Sequence, residues 1–392
     1  MAPDPTGESV TVLGAEESGY ARRVREMAQT ELLPLTDHGD EAKVNRALLV
    51  AMGDLGLLRD LFGGSPDEAP TDAAAMRLCL LRETIAGVST EAETALALQG
   101  LGSYPILQSG RRETVERWIP GVVRGTTVAA FALTEPEAGS DTAALSLAAT
   151  RDGDGWRLRG EKMWISNAPE ADVYTVFART TADAGARGVA AFAVAGDADS
   201  LSGEHLDLLA PHPIGRLRFD DVRVGPADVL GEVDAGFKVA MRTLDLFRPS
   251  VGAFAVGMAQ AALDATLDYV ATRHAYSAPL TTQQSVAHRL ADLATRLEAA
   301  RLLVYTAART YDAGAPRSEI TRRAAMAKLF ATETAQIVVD QCVQLHGARA
   351  LRRGHLLEHL YRDVRAPRIY EGTSEVQRSI IFRELFRERT TP

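Results

Sequence analysis

Cysteine is nearly absent from this 392-residue chain: Cys79 and Cys342 are the only two, with no CxxC or Cys/His spacing. That excludes a disulfide framework and a zinc site, and it fits a reducing cytoplasm, the compartment we expect. No apolar run approaches the roughly 18 residues that a membrane span needs. The start, Met1-Ala-Pro-Asp-Pro5, lacks the basic and apolar regions of a signal peptide. Surplus positive charge is missing too. A net charge of −9 argues against non-specific binding to nucleic acid. The charge is uneven: residues 1–100 carry 8 basic and 17 acidic side chains, and residues 347–392 carry 10 and 6. That C-terminal bias suits an anionic small molecule better than a duplex. Lysine is scarce, at 4 against 39 arginines, a skew that reads as coding composition rather than chemistry.

The common chemical fingerprints are missing as well. The nearest approach to GxGxxG is Gly100-Leu-Gly102-Ser-Tyr-Pro105, which has proline in the third glycine's place and lies in a helical region. There is no GxxxxGK[ST], GxSxG or HExxH. His355 and His359 are four apart with Glu358 between them, but they lack a third ligand and sit among Arg352, Arg353 and Arg362. They read as a surface helix, so no metal site is expected. Arg362-Asp363 reads as a structural ion pair.

What is present is an ordinary globular composition, 46% hydrophobic and 24% charged, of a length that suggests two or three domains and room for a large cofactor. Residues 1–125 read as helical: Val44, Leu48, Leu49, Met52, Leu55 and Leu58 lay an apolar stripe along one helix. Gly63-Gly64-Ser65-Pro66 breaks it, and Ala73 to Leu98 resumes. From 126 to 235 the period becomes that of strands. Thr127–Leu133, Val173–Ala178, Val189–Val194 and Arg218–Val224 are strand-like, and Leu145–Leu158 folds as a hairpin around Asp152-Gly-Asp-Gly155. From 236 to 392, long Ala- and Leu-rich segments (about 237–273, 284–312 and 318–346) and a shorter terminal one predict a helical bundle.

Four segments carry chemistry. Phe131-Ala-Leu-Thr-Glu-Pro-Glu-Ala-Gly-Ser-Asp141 runs from a strand into a loop of small residues. Lys162-Met-Trp-Ile-Ser-Asn167 sets an aromatic before a hydroxyl and an amide. Arg273 and Gln284 flank a helix junction. Arg368-Ile-Tyr-Glu-Gly-Thr-Ser-Glu375 holds a carboxylate on a tight turn before a helix. Each also has a plain reading: Trp164 as core, and Thr373 as the N-cap of the helix it precedes.

Taken together and in this order, the segments resemble the acyl-CoA dehydrogenase family, over residues 15 to 388. The resemblance implies an α+β fold: an N-terminal helical domain, a middle β-barrel or sandwich and a C-terminal four-helix bundle. It also implies bound FAD, with Phe131, Leu133, Thr134, Trp164, Ile165 and Ser166 against the flavin. Arg273 is then the cation for the pyrophosphate. Gln284, Gln344, Gly347 and Ala348 reach the FAD of a neighbouring subunit in a homotetramer, or at least a dimer, and Thr373 and Glu375 are further FAD contacts. Ser140, Asp245, Arg248 and Gly372 are substrate contacts, the middle two from the family's DxxR. Glu371 is similar to the catalytic base that removes the α-proton of an acyl thioester while hydride leaves the β-carbon. Some members carry the base just before the arginine of DxxR, but Phe247 stands there.

The chain departs from the family at RxxFG, which reads Arg273-His-Ala-Tyr-Ser277, and at QxxGGxG, which reads Gln344-Leu-His-Gly-Ala-Arg-Ala350. These losses of glycine imply a divergent branch. The activity so implied is dehydrogenation of an acyl-CoA. Alternatives are the same chemistry on an acyl carrier protein, an oxidase using O2, or a flavin-binding scaffold, which Glu371 and the negative charge oppose. An electron-transfer flavoprotein is the expected acceptor, because two distant cysteines offer no second redox centre. Glu93, Thr94 and Ala97 correspond to the floor of the acyl pocket, and a charge at Glu93 disfavours a long alkyl chain. A short or polar acyl group is therefore expected.

Overall fold

The computed structural model describes residues 12–36, 42–64 and 69–390. Five helices come first: α1 (Ala15–Met27), α2 (Arg46–Asp54), α3 (Ala75–Ala86), α4 (Thr90–Ser109) and α5 (Arg112–Val123). The expected stripe buries Leu48, Leu49 and Met52 on α2, whose N-terminus is capped by the Asn45 side chain. Ser65 and Pro66 of the expected break lie outside the described residues. The helical pattern expected over Ala73 to Leu98 is carried by two helices. Gly87 ends α3, and the Ser89 hydroxyl accepts from the Ala92 N–H to start α4. Both helices are buried nearly all round, so periodicity does not mark the break.

The middle region is one sheet of eight strands: β1 (Ala129–Ala132), β2 (Ala148–Asp152), β3 (Gly155–Ser166), β4 (Val173–Arg179), β5 (Val189–Ala195), β6 (Leu201–His205), β7 (Ile214–Val224) and β8 (Val229–Leu230). Their order is β6-β7-β3-β2-β4-β5-β8, with β1 parallel beside β4. The expected hairpin is present, Asp152 facing Gly155 across a turn in which Gly153 takes φ +64°. β4 and β5 are buried on both faces and read as continuous apolar runs, whereas β7 alternates.

The chain then forms α6 (Gly236–Thr272), α7 (Gln284–Asp312), α8 (Arg317–His346), α9 (Leu356–Asp363) and α10 (Ser374–Thr390). α6, α7, α8 and α10 pack as the expected bundle, and α3 lies against α6. By length and hydropathy α6 could cross a membrane, but 72% of its apolar window is buried inside the protein. Gly100 and Gly102 have a packing role. A Cβ on Gly102 would come within 2.5 Å of the Ala130 nitrogen, and one on Gly100 within 2.9 Å of the Phe247 ring. Their absence lets α4 lie directly on β1 and α6.

A buried ion pair joins β3 to the loop after β1. Lys162, 0% exposed, donates to the Leu133 carbonyl (2.9 Å) and the Glu135 carboxylate (2.8 Å). Glu135 also accepts from the N–H groups of Ser146 (2.6 Å) and Leu147 (2.9 Å). Burial raises the Glu135 carboxyl, but Lys162 and these N–H groups outweigh it and hold it below the usual range; burial pushes Lys162 down to about 8. Lys162→Met strands that carboxylate. We expect a loss of about 3–5 kcal/mol in urea unfolding, and an unchanged midpoint would show that the pair does not hold this loop.

Candidate active site

β1, β3, α4, α6 and the loop before α10 enclose a cavity of about 1200 Å³. That exceeds the roughly 300–1,000 Å³ of an ordinary ligand pocket.

Glu371 and Gly372 form the turn before α10, at φ +52° and +94°. A glutamate at positive φ is strained unless its surroundings hold it there. Arg248 of α6 donates to the Glu371 carbonyl (3.3 Å), Lys328 of α8 to the Gly372 carbonyl (2.7 Å), and Gln377 of α10 to both (3.1 and 2.9 Å). The Thr373 hydroxyl accepts from the Val376 N–H (3.3 Å), so the capping role holds. The backbone is clamped and the carboxylate is not: Glu371 Oε2 is buried without a hydrogen-bond partner. Burial raises its pKa, opposed by Arg82, Arg248 and Lys328. Such a group is a strengthened base.

Phe131, Leu133 and Thr134 line the opposite wall with Trp164 and Ser166. Trp164 is not core. It is 48% exposed, at φ +61°. Ile165 between them is 1% exposed and packs in the core, so its side chain does not meet the cavity. Ser166 Oγ lies 2.8 Å from His212 Nε2, and burial pushes that imidazole down to about 4. Ser140, Asp245 and Arg248 also line the cavity. Asp245 pairs with Arg248 (3.4 Å) and accepts from Thr321 (3.1 Å).

The remaining expected residues lie elsewhere. Arg273, Gln284, Gln344, Gly347 and Ala348 sit where α6 ends, α7 begins and α8 ends. Arg248 and Arg273 are separated by 25 residues along α6, a rise of about 37 Å. Glu375 is outside the cavity, exposed and paired with Arg378 (3.4 Å). Arg362 and Asp363 do not pair with each other, because adjacent residues on a helix point apart. Arg362 instead reaches Glu358 (2.7 Å), and Asp363 reaches His359 (2.9 Å) and Thr90 (2.6 Å). His355 caps α9, and no cluster of three metal-ligating side chains occurs among the described residues.

Sequence reasoning missed Lys328, Gln377 and Arg82. Lys328 carried a signal: it is one of four lysines and shares its helix face with Ala324, Ala325 and Ala331, all buried. A lysine on an alanine face is there to reach something.

Three sequence models cover the chain: "Acyl-CoA dehydrogenase, N-terminal domain" matches residues 14–126, the middle domain 130–222 and the C-terminal domain 234–386. Cyclohexane-1-carbonyl-CoA dehydrogenase of Geobacter metallireducens is 34% identical over 93% of this chain and 96% of its own length. The mitochondrial short-chain specific acyl-CoA dehydrogenase of Rattus norvegicus is 37% identical over 93% of this chain and 88% of its own. The butyryl-CoA dehydrogenase structure from Megasphaera elsdenii superposes with a TM-score of 0.89 at 31% identity, covering 96% of this chain and 100% of that one.

The turn yields a test. At φ +94° Gly372 needs a glycine, and a Cβ there would lie 2.7 Å from Gln377 Nε2. Gly372→Ala should cost about 1–2 kcal/mol, read in thermal unfolding. An unaltered melting temperature would mean that the turn relaxes freely.

Proposed function

The chain belongs to the acyl-CoA dehydrogenase family, and from that premise we propose an FAD-dependent dehydrogenase of a short or polar acyl-CoA thioester with Glu371 as its base. The observation that carries this reading is the buried, unpartnered oxygen of Glu371 on a clamped turn in the cavity. FAD fits the residues present: the half-exposed Trp164 ring and the Ser166 hydroxyl stand on one wall with Phe131, Leu133 and Thr134. Those residues would hold the flavin, which supplies a hydride acceptor when bound. Glu371 removes the α-proton. Its raised pKa makes it a better base, and Leu98, Leu101 and Phe247 line the cavity with apolar surface that keeps water from it.

A second copy of the chain belongs to this reading. Arg273, Gln284 and the 344–348 segment stand too far along the bundle to serve their own cavity, so we assign them to a neighbour's FAD in a homotetramer. An electron-transfer flavoprotein is the acceptor we propose.

Glu371→Gln keeps size and hydrogen bonding but cannot take the proton. We expect a yellow, assembled protein whose flavin bleaches at least about a hundredfold more slowly under anaerobic acyl-CoA. Glu375→Gln, outside the cavity, should bleach at the wild-type rate; the reverse pattern would mean that the base is misassigned. In the wild type, kcat/KM should fall as pH drops through a pKa above the usual carboxylate value, because the base must be ionised. Lys328 is one of three cations that lower that pKa. Lys328→Met should therefore move the acid limb to higher pH, and a limb that stays in place or moves down would contradict the electrostatic account.

A further inference from the structure

The floor of the cavity holds a second unusual group. Arg82 of α3 and Glu93 of α4 form an ion pair that is 4% and 1% exposed and lines the same cavity as Glu371. Arg82 Nε meets Glu93 Oε1, and Arg82 Nη1 donates to Ser250 Oγ of α6 (2.7 Å). The Ser250 hydroxyl in turn donates to the Phe247 carbonyl (2.7 Å). Arg82 is therefore anchored on both sides. Glu93 is held by one oxygen only, and its Oε2 is buried without a partner. Among Thr94, Ala97, Phe247 and Phe254, that oxygen is costly to leave bare, and an alkyl chain would leave it so.

We propose that the Arg82–Glu93 pair is a polar subsite for a hydroxyl on the acyl chain, so that the substrates are hydroxylated acyl thioesters rather than plain alkanoyl ones. This deepens the assignment of Glu371 as base and rests on it. Charge selects a neutral group. The pair is itself neutral, one guanidinium against one carboxylate, both buried. A ligand ammonium or carboxylate would unbalance them in a dry site. Burial pushes the Glu93 carboxyl up to about 7 against the pull of Arg82, so Oε2 is an acceptor when ionised and can carry a proton to donate otherwise. A hydroxyl both donates and accepts, and it satisfies either state.

The test compares acyl-CoA pairs of equal chain length on the FAD-loaded enzyme, reading anaerobic flavin bleaching. The pairs are butanoyl, pentanoyl and hexanoyl against their terminally hydroxylated forms, with glutaryl-CoA as the charged case. At one length at least, the hydroxyacyl form should show kcat/KM about tenfold or more above its alkanoyl partner and above glutaryl-CoA. In Arg82→Leu/Glu93→Leu, which replaces both partners by apolar groups, the preference should reverse. If plain alkanoyl thioesters match or exceed the hydroxylated ones at every length, or glutaryl-CoA is preferred, the inference is wrong while the dehydrogenase reading stands. A hydroxyl preference that survives in the double variant would remove it from this pair. If no thioester of any kind bleaches the flavin, the underlying reading fails and takes the inference with it. Should the double variant not fold, the wild-type comparison alone decides.

Discussion

A base that must stay bare cannot be held by its own oxygens. Any strong donor to the Glu371 carboxylate would stabilise the ionised form and weaken it as a base. The chain fixes the backbone instead: Arg248, Lys328 and Gln377 grip the carbonyls of Glu371 and Gly372. One helix of the bundle supplies each grip, α6, α8 and α10. Their packing is thereby a condition for the turn. The same two cations limit the cost of the buried charge by acting through space rather than by contact. Position and ionisation are set by one set of side chains.

The opposite wall follows a different logic. A fully paired Lys162–Glu135 bridge braces the loop after β1, with Lys162 also tying down the Leu133 carbonyl. Here both charges are satisfied, because this pair has only to hold. On the base side one oxygen is left free, and at Glu93 another. The paired bridge is scaffold, whereas the bare oxygens of Glu371 and Glu93 are the ones we assign to chemistry and to a ligand.

Most of the architecture was legible in the sequence because it rests on periodicity and turn chemistry. The Asp152–Gly155 hairpin, the alternating β7 and the three long bundle helices lie close to where those signals put them. The α3–α4 break was not legible, since helices buried all round show no amphipathic face to interrupt. Of the site, the loop residues carried recognisable motifs, and the structure gathers Phe131, Leu133, Thr134, Ser140, Trp164, Ser166, Asp245, Arg248 and Glu371 in one cavity. Their supports did not. Lys328 stood out only as a lysine on an alanine face, while Gln377 and Arg82 are helix residues whose function depends on which neighbour the side chain reaches, and a single sequence does not carry that information.

At the far end of the bundle the chain departs from a motif of the family. Between His274 and Pro279 the chain makes a tight hairpin, with Tyr276 at φ +53° and Ser277 at φ +67°. Glycine reaches that region without cost, whereas L-residues give up about 1–2 kcal/mol each. Two residues other than glycine thus stand at positive φ in this hairpin, a conformation that their own side chains do not favour. Tyr276 is 94% exposed, and the two short paired strands, with the Leu280 N–H donating to the Arg273 carbonyl (2.8 Å), hold the turn around it. An FAD of a neighbouring copy, met by Arg273 beside this turn, is the ligand for which we propose the strained hairpin is kept.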